Sequence, residues 1–233
     1  SSNDYAGGIV GYSETTSNGV INCIFGVDDE SYVEGKDYVG GIAGYSVQLN
    51  SQENLITKNN ADIKGNEYVG GLYGSTGNFG IVGEIHNTGD VKGNKKAGGI
   101  VGSVSTMGIS SKNICINEGK IEAEESHVGG IVGEVRTSLT IASLDVINNG
   151  AVITKGGYAG GVSGYSKKTT LSSAKVVNKG YIEAESNAGG IIGYSEGTFN
   201  INYSTTEATN EGKVKAVKDN AGGIAGYAEN IDI

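Results

Sequence analysis

The sequence is poor in the residues from which compact globular cores are usually built. Its 233 residues include no proline, no tryptophan, one methionine and three phenylalanines, whereas glycine occurs 41 times. Small and β-branched residues predominate instead, which suits thin, repeated layers of β-strand. Repeated α-helices are a poor alternative, because each glycine inside a helix costs about 1 kcal/mol relative to alanine. The composition therefore favours an all-β fold.

Positive charge is also scarce, because 17 lysine and arginine residues stand against 26 acidic residues, for a net charge of −9. Nucleic-acid binding is not expected, since basic side chains must neutralise the phosphates. No segment approaches the roughly 18 consecutive apolar residues of a membrane-spanning helix. The chain begins at Ser1 with neither an initiator methionine nor a signal peptide. We therefore interpret it as a segment of a larger protein that continues into flanking domains.

Cysteine and histidine are too few to indicate a redox or metal centre. Cys23 and Cys115 lie three repeats apart, or some 14 Å at about 4.8 Å per layer. A disulfide needs Cα atoms within about 7 Å, and we assign the two cysteines to different columns of the repeat. The only two histidines, His86 and His127, are also in different columns and form no H-E-x-x-H motif. The sequence predicts two free thiols, no metal site and no cofactor.

A Gly-Gly-aliphatic-x-Gly motif recurs along the whole chain. Its eight copies, 28 to 33 residues apart, begin at Gly7, Gly40, Gly70, Gly98, Gly129, Gly160, Gly189 and Gly222. An asparagine column precedes the last six copies by 11 or 12 residues, at Asn59, Asn87, Asn117, Asn148, Asn178 and Asn210. We assign Asp29 to the same column in the preceding unit. Stacked asparagines can bond to one another and to turn backbone, so we favour a structural ladder over a ligand site.

The segments between these columns read as strands. Residues 120–124 alternate charged and apolar side chains, which is typical of a strand with one buried face. The aliphatic residue of each motif is predicted to face inwards, and the glycine pair to form a corner through unusual backbone dihedrals. Between each motif and the next asparagine the length varies from 13 to 18 residues, which predicts variable loops on one face.

These features predict a single domain over residues 1–233, folded as a right-handed parallel β-helix of about eight coils. Each coil has about 30 residues and three short strands, which pair with their copies in neighbouring coils. Charged residues in one column predict ion pairs between coils, of Glu34 with Lys64, Lys92 with Glu122, and Glu183 with Lys215. Because the signs alternate, these residues do not form the paired carboxylates of a glycosidase.

Tyrosine forms the column that invites a functional interpretation. It follows five of the motifs, at Tyr12, Tyr45, Tyr165, Tyr194 and Tyr227, and is predicted to face outwards. The residues two positions earlier are expected on the same face, at Val10, Ala43, Ser163, Ile192 and Ala225. A second column precedes the glycine pairs, at Tyr5, Tyr38, Tyr68, His127 and Tyr158. Such a stripe suits a glycan or protein partner, whereas the simpler interpretation is that the rings only shield the sheet.

The phrase Gly-Gly-Ile-Val-Gly-Tyr-Ser at residues 7–13 resembles the GLUG motif of large bacterial surface proteins. Close variants occupy residues 40–46, 160–166, 189–195 and 222–228. In the middle of the chain the tyrosine is replaced, by Ser75, Ser103 and Glu134. The GLUG family includes immunoglobulin-A-specific metallopeptidases and haemagglutinin-like adhesins, in which the repeats are non-catalytic. The resemblance implies an extracellular or cell-surface location.

Our leading hypothesis is a non-enzymatic structural or adhesive segment of a secreted or cell-surface bacterial protein. Its contacts with a host glycan or protein would use the tyrosine stripe and the variable loops. The hypothesis depends on the repetition and on the lack of a convergent catalytic set. A carbohydrate-active β-helix enzyme, a glycan-binding module and an accessory domain of a surface peptidase are the alternatives.

Overall fold

The computed structural model describes residues 4–14, 21–27, 30–50, 55–80, 83–110, 114–143, 145–202 and 206–232. All regular elements in these ranges are β-strands, and they pair in parallel between successive turns. They stack as a β-solenoid of about seven turns with roughly 30 residues per turn, which confirms the predicted parallel β-helix. The described part of the chain contains no helix long and apolar enough to cross a membrane.

The described strands fall into four sheets, one more strand per turn than predicted. The asparagine sheet comprises Ile24–Phe25, Ile56–Asn59, Glu84–Asn87, Ile114–Asn117, Asp145–Asn148, Lys175–Asn178 and Glu207–Asn210. The charged sheet follows it in each turn and comprises Tyr32–Glu34, Asp62–Lys64, Val91–Lys92, Ile121–Ala123, Val152–Thr154, Ile182–Ala184 and Val214–Ala216.

The other two sheets flank the glycine pairs. The corner sheet comprises Tyr5–Gly7, Tyr38–Gly40, Tyr68–Gly70, Lys96–Gly98, Val128–Gly129, Tyr158–Gly160, Asn187–Gly189 and Ala221–Gly222. The long sheet comprises Val10–Ser13, Ala43–Asn50, Tyr73–Gly80, Val101–Ser110, Val132–Ala142, Ser163–Ser166, Thr169–Ser172, Ile192–Asn202 and Ala225–Asp232. The chain therefore passes from asparagine sheet to charged sheet, corner sheet and long sheet in each turn.

The solenoid encloses two hydrophobic cores. The smaller core lies between the charged and corner sheets and contains the residue before each glycine pair, such as Val39 and Val69. The larger core lies between the long and asparagine sheets and contains the aliphatic residue of each motif, such as Ile42 and Leu72. These residues are fully buried, as predicted, whereas Ile9 in the first turn is 47% exposed.

A column of glycines packed against the asparagine column separates the two cores. A Cβ atom on Gly71, the second glycine of its pair, would lie 2.4 Å from Asn87 Oδ1. The first glycine is equally confined, because a Cβ atom on Gly70 would lie 1.9 Å from the carbonyl oxygen of Tyr73. The described corner glycines do not adopt left-handed φ angles. Close approach, and not the unusual dihedrals that we predicted, therefore requires glycine at the corner.

The asparagine column forms a continuous hydrogen-bonded ladder from Asn59 to Asn210. Asn117 Nδ2, for example, donates to Asn148 Oδ1 at 2.8 Å and to the carbonyl oxygen of Gly119 at 2.8 Å. Because both amide hydrogens are used within the fold, the buried side chains keep partners without water. Asp29 lies outside the described residues. The described residue that takes the asparagine position of that unit is Phe25, which pairs with Asn59.

Two of the three predicted ion pairs between turns are present. Lys64 Nζ lies 2.7 Å from Glu34 Oε1, and Lys215 Nζ lies 2.6 Å from Glu183 Oε1. The third prediction was wrong. Lys92 and Glu122 are register partners, but Glu122 Oε1 lies 2.5 Å from Nζ of Lys120, two residues earlier in the chain.

Candidate functional site: the aromatic corner

The corner and long sheets approach each other closely at the last glycine of each motif, which is the second residue of the long strand. A Cβ atom on Gly74 would lie 2.5 Å from the backbone nitrogen of Val39, in the corner strand of the preceding turn. The absence of a side chain at this glycine column brings the outward columns of the two sheets side by side. We call this double row the aromatic corner.

The two columns of the aromatic corner are aligned by strand register. The corner-sheet column contains Tyr5, Tyr38, Tyr68, Lys96, His127, Tyr158 and Asn187. The long-sheet column contains Tyr12, Tyr45, Ser75, Ser103, Glu134, Tyr165, Tyr194 and Tyr227. All five tyrosines of the predicted stripe therefore occupy one column, interrupted by three polar residues.

Tyrosines of the first three turns form the N-terminal stack. The ring centroids of Tyr5 and Tyr38 are 4.9 Å apart, and those of Tyr38 and Tyr68 are 4.7 Å apart. In the second column Tyr12 and Tyr45 stack at 5.3 Å with an angle of 11° between their planes. Tyr5 also meets Tyr12 edge-on at 4.9 Å, so the two columns form one aromatic surface.

A C-terminal stack occupies the later turns. The rings of Tyr158 and Tyr194 are 4.5 Å apart, and those of Tyr194 and Tyr227 are 4.7 Å apart. His127 lies flat against both Tyr158 and Tyr165, at 5.1 and 5.0 Å. Tyr12 and Tyr227 are exposed, whereas Tyr45, Tyr165 and Tyr194 are half-buried between their neighbours. Their outer faces and edges remain accessible to a partner.

The predicted aliphatic companions of the stripe were placed wrongly. Ala43, Ser163 and Ile192 are fully buried, because two consecutive residues face inwards where the chain turns the corner. Ile42 and Ala43, for example, both belong to the larger core. The strict alternation that we assumed for this strand begins only after the corner, so the outer surface next to the tyrosines is polar.

Between the two stacks lies a polar interval, which we define as Lys96, Ser103, Ser105, Glu134 and Arg136. Ser103 Oγ donates to Glu134 Oε2 at 2.9 Å, and Lys96 Nζ lies 2.9 Å from the same oxygen. Arg136 donates through Nη1 to Ser103 Oγ at 3.1 Å and through Nη2 to Ser105 Oγ at 2.8 Å. The buried carboxylate of Glu134 is thus held by one hydroxyl and one ammonium group.

Both stacks border the polar interval directly. Lys96 Nζ lies 5.0 Å from the ring centroid of Tyr68, within the range of a cation–π interaction. On the other side, His127 Nδ1 lies 3.8 Å from Glu134 Oε1 and makes no hydrogen bond with the described residues. Burial lowers the pKa of His127 to about 4, against the opposing effect of Glu134, and Lys96 lowers it further. The imidazole is therefore neutral at pH 7.

Tyrosine hydroxyls at the two stacks are bonded to carboxylates of the same face. Tyr12 donates to Glu14 Oε1 at 3.1 Å, and Tyr165 donates to Glu196. Burial, together with the hydrogen bond to Glu196, raises the pKa of Tyr165. These hydrogen bonds orient the rings while leaving their outer surface polar, a combination that suits sugar hydroxyls as well as protein surfaces.

Cysteine placement differs from the prediction in one respect. Ile24 pairs with Lys58, so Cys23 falls opposite Thr57, in the same column as Cys115. The predicted assignment to different columns was therefore wrong. Both cysteines are free, three layers apart. Burial raises the pKa of Cys115 to about 12. The described residues contain no cluster of three potential metal ligands.

No protein-family model, curated protein or solved structure matches this chain.

Proposed function

We propose that this chain is a non-enzymatic structural and adhesive segment of a secreted or cell-surface bacterial protein. Its partner, a host glycan or protein, contacts the aromatic corner. The observation that carries the proposal is the pair of tyrosine stacks on the outer surface, in which ten aromatic rings are aligned along two adjacent columns. Aromatic side chains with polar tips are enriched in binding surfaces, because they bury large areas and still form hydrogen bonds.

The solenoid itself supports the structural part of the proposal. Each turn contacts its neighbours through four parallel strands, so a stack of turns forms an elongated scaffold that repeats one surface many times. The resemblance of the repeats to the GLUG motif supports a bacterial surface location. A glycan fits the corner well, because flat sugar faces can lie on the rings while their hydroxyls reach the exposed Arg136 in the polar interval.

Removing two rings of the C-terminal stack tests the proposal. A printed glycan array and a panel of host surface proteins would be probed with the chain and with Tyr165→Ala/Tyr194→Ala. We expect binding that weakens about fivefold or more in the variant, since truncating a central aromatic contact costs more than about 1 kcal/mol. Tyr32→Ala/Tyr181→Ala is the matched control, because it removes two tyrosines at the charged sheet. Binding that survives the first variant, or falls equally in both, would contradict the assignment to the corner.

One observation favours a second candidate, a carbohydrate-active enzyme. Glu134 is a buried carboxylate beside Ser103, Lys96 and His127, in a row of rings that can hold a sugar chain. Because Glu134 is buried and its Oε2 is already engaged by Ser103 and Lys96 within the fold, it is not placed to donate a proton to a glycosidic oxygen. Release of reducing ends from a panel of polysaccharides, and its loss in Glu134→Gln, would establish this alternative and refute the non-enzymatic proposal.

A further inference from the structure

The charges along the aromatic corner change sign between its ends and its centre. Carboxylates accompany the tyrosine stacks, at Glu14 beside Tyr12 and at Glu196 beside Tyr165. In the polar interval the carboxylate of Glu134 is already paired with Lys96, so these two charges compensate each other. The cation that remains at the centre is Arg136.

Arg136 is the only arginine of the chain, and its guanidinium group is linked to the Glu134 carboxylate through the hydroxyl of Ser103. Two of its nitrogens donate to the hydroxyl oxygens of Ser103 and Ser105, which fixes the plane of the group. It makes no ion pair with any described residue. Arg136 also counteracts the rise that burial causes in the pKa of Tyr38, so its charge reaches the N-terminal stack.

A second cation lies beside Arg136 in the next turn. Ser166 pairs with Val135, so the following residue, Lys167, takes the position next to Arg136. Lys167 is exposed, and it too makes no ion pair within the described part of the chain. By the same register Ser166 pairs with Ser195, so Glu196 lies next to Lys167 on the side away from Arg136. Lys167 therefore lies between Arg136 and Glu196, and Arg136 is the central cation without an ion pair among the described residues, on a protein whose net charge is −9.

The spacing of the stacks fits a ligand that touches both. Tyr68 in the third turn and Tyr165 in the sixth are separated by three layers, or about 14 Å at the usual strand spacing. A short oligosaccharide spans that distance, and its middle would lie over the polar interval. A guanidinium group binds carboxylates and sulfates through two parallel hydrogen bonds, which gives it preference over a neutral sugar hydroxyl.

We infer that the polar interval binds the carboxylate or sulfate group of an acidic glycan, whose sugar rings lie on the two tyrosine stacks. The inference rests on the proposed function, since it names the class of glycan that the aromatic corner takes. Arg136 and Lys167 contact the acidic group. Glu196, one turn beyond Lys167, repels an anion from that side, so the acidic group is placed over Arg136.

A glycan array in which each sialylated, sulfated or uronate-containing glycan is printed beside its neutral parent tests the inference. The wild-type chain should bind the acidic members about tenfold more tightly, as expected for hydrogen bonds to charged groups. Arg136→Gln/Lys167→Gln should abolish this ratio while binding to neutral glycans persists. Lys175→Gln/Lys179→Gln removes the same charge from exposed positions at the asparagine sheet and should leave the ratio unchanged.

The outcomes separate the two proposals. Equal binding of acidic and neutral glycans, or an unchanged ratio in Arg136→Gln/Lys167→Gln, overturns the acidic preference and leaves the proposed function standing. Failure to bind any glycan overturns the acidic preference and, unless a host protein binds the corner, the proposed function as well. Calorimetry of the strongest acidic glycan, with sodium sulfate and sodium acetate as competitors, distinguishes the glycan from a free anion. Inorganic sulfate that binds as tightly as the glycan would also refute the inference.

Discussion

Gly41 lies so close to Asn59 that a Cβ atom on the glycine would come within 2.3 Å of the amide oxygen of the asparagine. The same contact recurs along the rod, because the second glycine of six of the eight pairs faces an asparagine of the ladder, whereas Gly8 faces Phe25. One column cannot change without the other, and together they separate the two hydrophobic cores. The two most regular columns of the sequence are therefore two sides of one internal wall.

A methyl group added to this wall should destabilise the protein strongly. In Gly99→Ala the new Cβ atom would lie 2.1 Å from the carbonyl oxygen of Gly130 and 2.5 Å from Asn117 Cγ. Because backbone cannot yield at this point, we expect a loss of about 3 kcal/mol or more, or failure to fold. Gly108→Ala is the control. Its Cβ atom would meet no atom within 4 Å, so urea unfolding should show an unchanged or slightly raised stability.

Removing one asparagine of the ladder should destabilise the protein, because it leaves buried polar groups without hydrogen-bond partners. Asn117→Ala removes the acceptor of Asn87 Nδ2 and the donor to Asn148 Oδ1, both fully buried. Leaving such groups without partners costs about 1–3 kcal/mol each, so the free energy of unfolding should fall by about 3 kcal/mol. In urea titrations the exposed Asn149→Ala should change it by less than about 0.5 kcal/mol. Equal effects of the two substitutions would mean that the ladder adds no stability.

The sequence predicted the parallel solenoid because homologous residues lie one above another, so identical side chains recur at the spacing of the turns. It missed the fourth strand of each turn, because that strand lies in the segment whose length varies. It also missed that Phe25 takes the asparagine position of its unit, since eight positions separate Phe25 from the inward Val33, against four between Asn59 and Ile63. Register, which only the paired backbone reveals, places Phe25 opposite Asn59.

The tyrosine stripe was visible in the sequence, but the polar interval was not. Ser103 and Glu134 were noted only as departures from the repeat, and Lys96 and Arg136 belong to different units. They meet because the glycine column brings two sheets together, and side chains reach across one turn. These replacements were the available signal, since a tyrosine column that contains polar residues in consecutive turns indicates a local change from an aromatic to a polar surface.

Thiol chemistry should distinguish the two cysteines. Cys115 is fully buried, and burial raises its pKa to about 12. Cys23 is only partly buried, and burial raises its pKa as well. A chromogenic disulfide reagent should therefore label one thiol slowly in the folded chain and two after unfolding in urea. Cys23→Ser should abolish the native-state reaction. An internal disulfide after mild oxidation would contradict their separation by three layers.

Acidification should lower the free energy of unfolding through the protonation of His127, at the centre of the aromatic corner. Its pKa is about 4 in the folded chain and near 6.5 when unfolded, so the unfolded state binds more protons between these values. The contribution of the neutral imidazole to the free energy of unfolding is therefore fully present above pH 6.5, and it is lost as the pH falls towards 4. Glu134 and Lys96, which face the ring, act in opposite directions on the shift.

His127→Tyr provides the comparison, because the same column holds tyrosine at Tyr68 and Tyr158. Urea unfolding of both proteins at pH 7 and pH 4.5 cancels the titration of carboxylates common to them. We expect the wild type to lose on the order of 2 kcal/mol more than His127→Tyr over this range. A difference between the two proteins that does not change with pH would mean that the folded chain does not hold His127 neutral, and that the ring is more hydrated than its position between Tyr158 and Tyr165 implies.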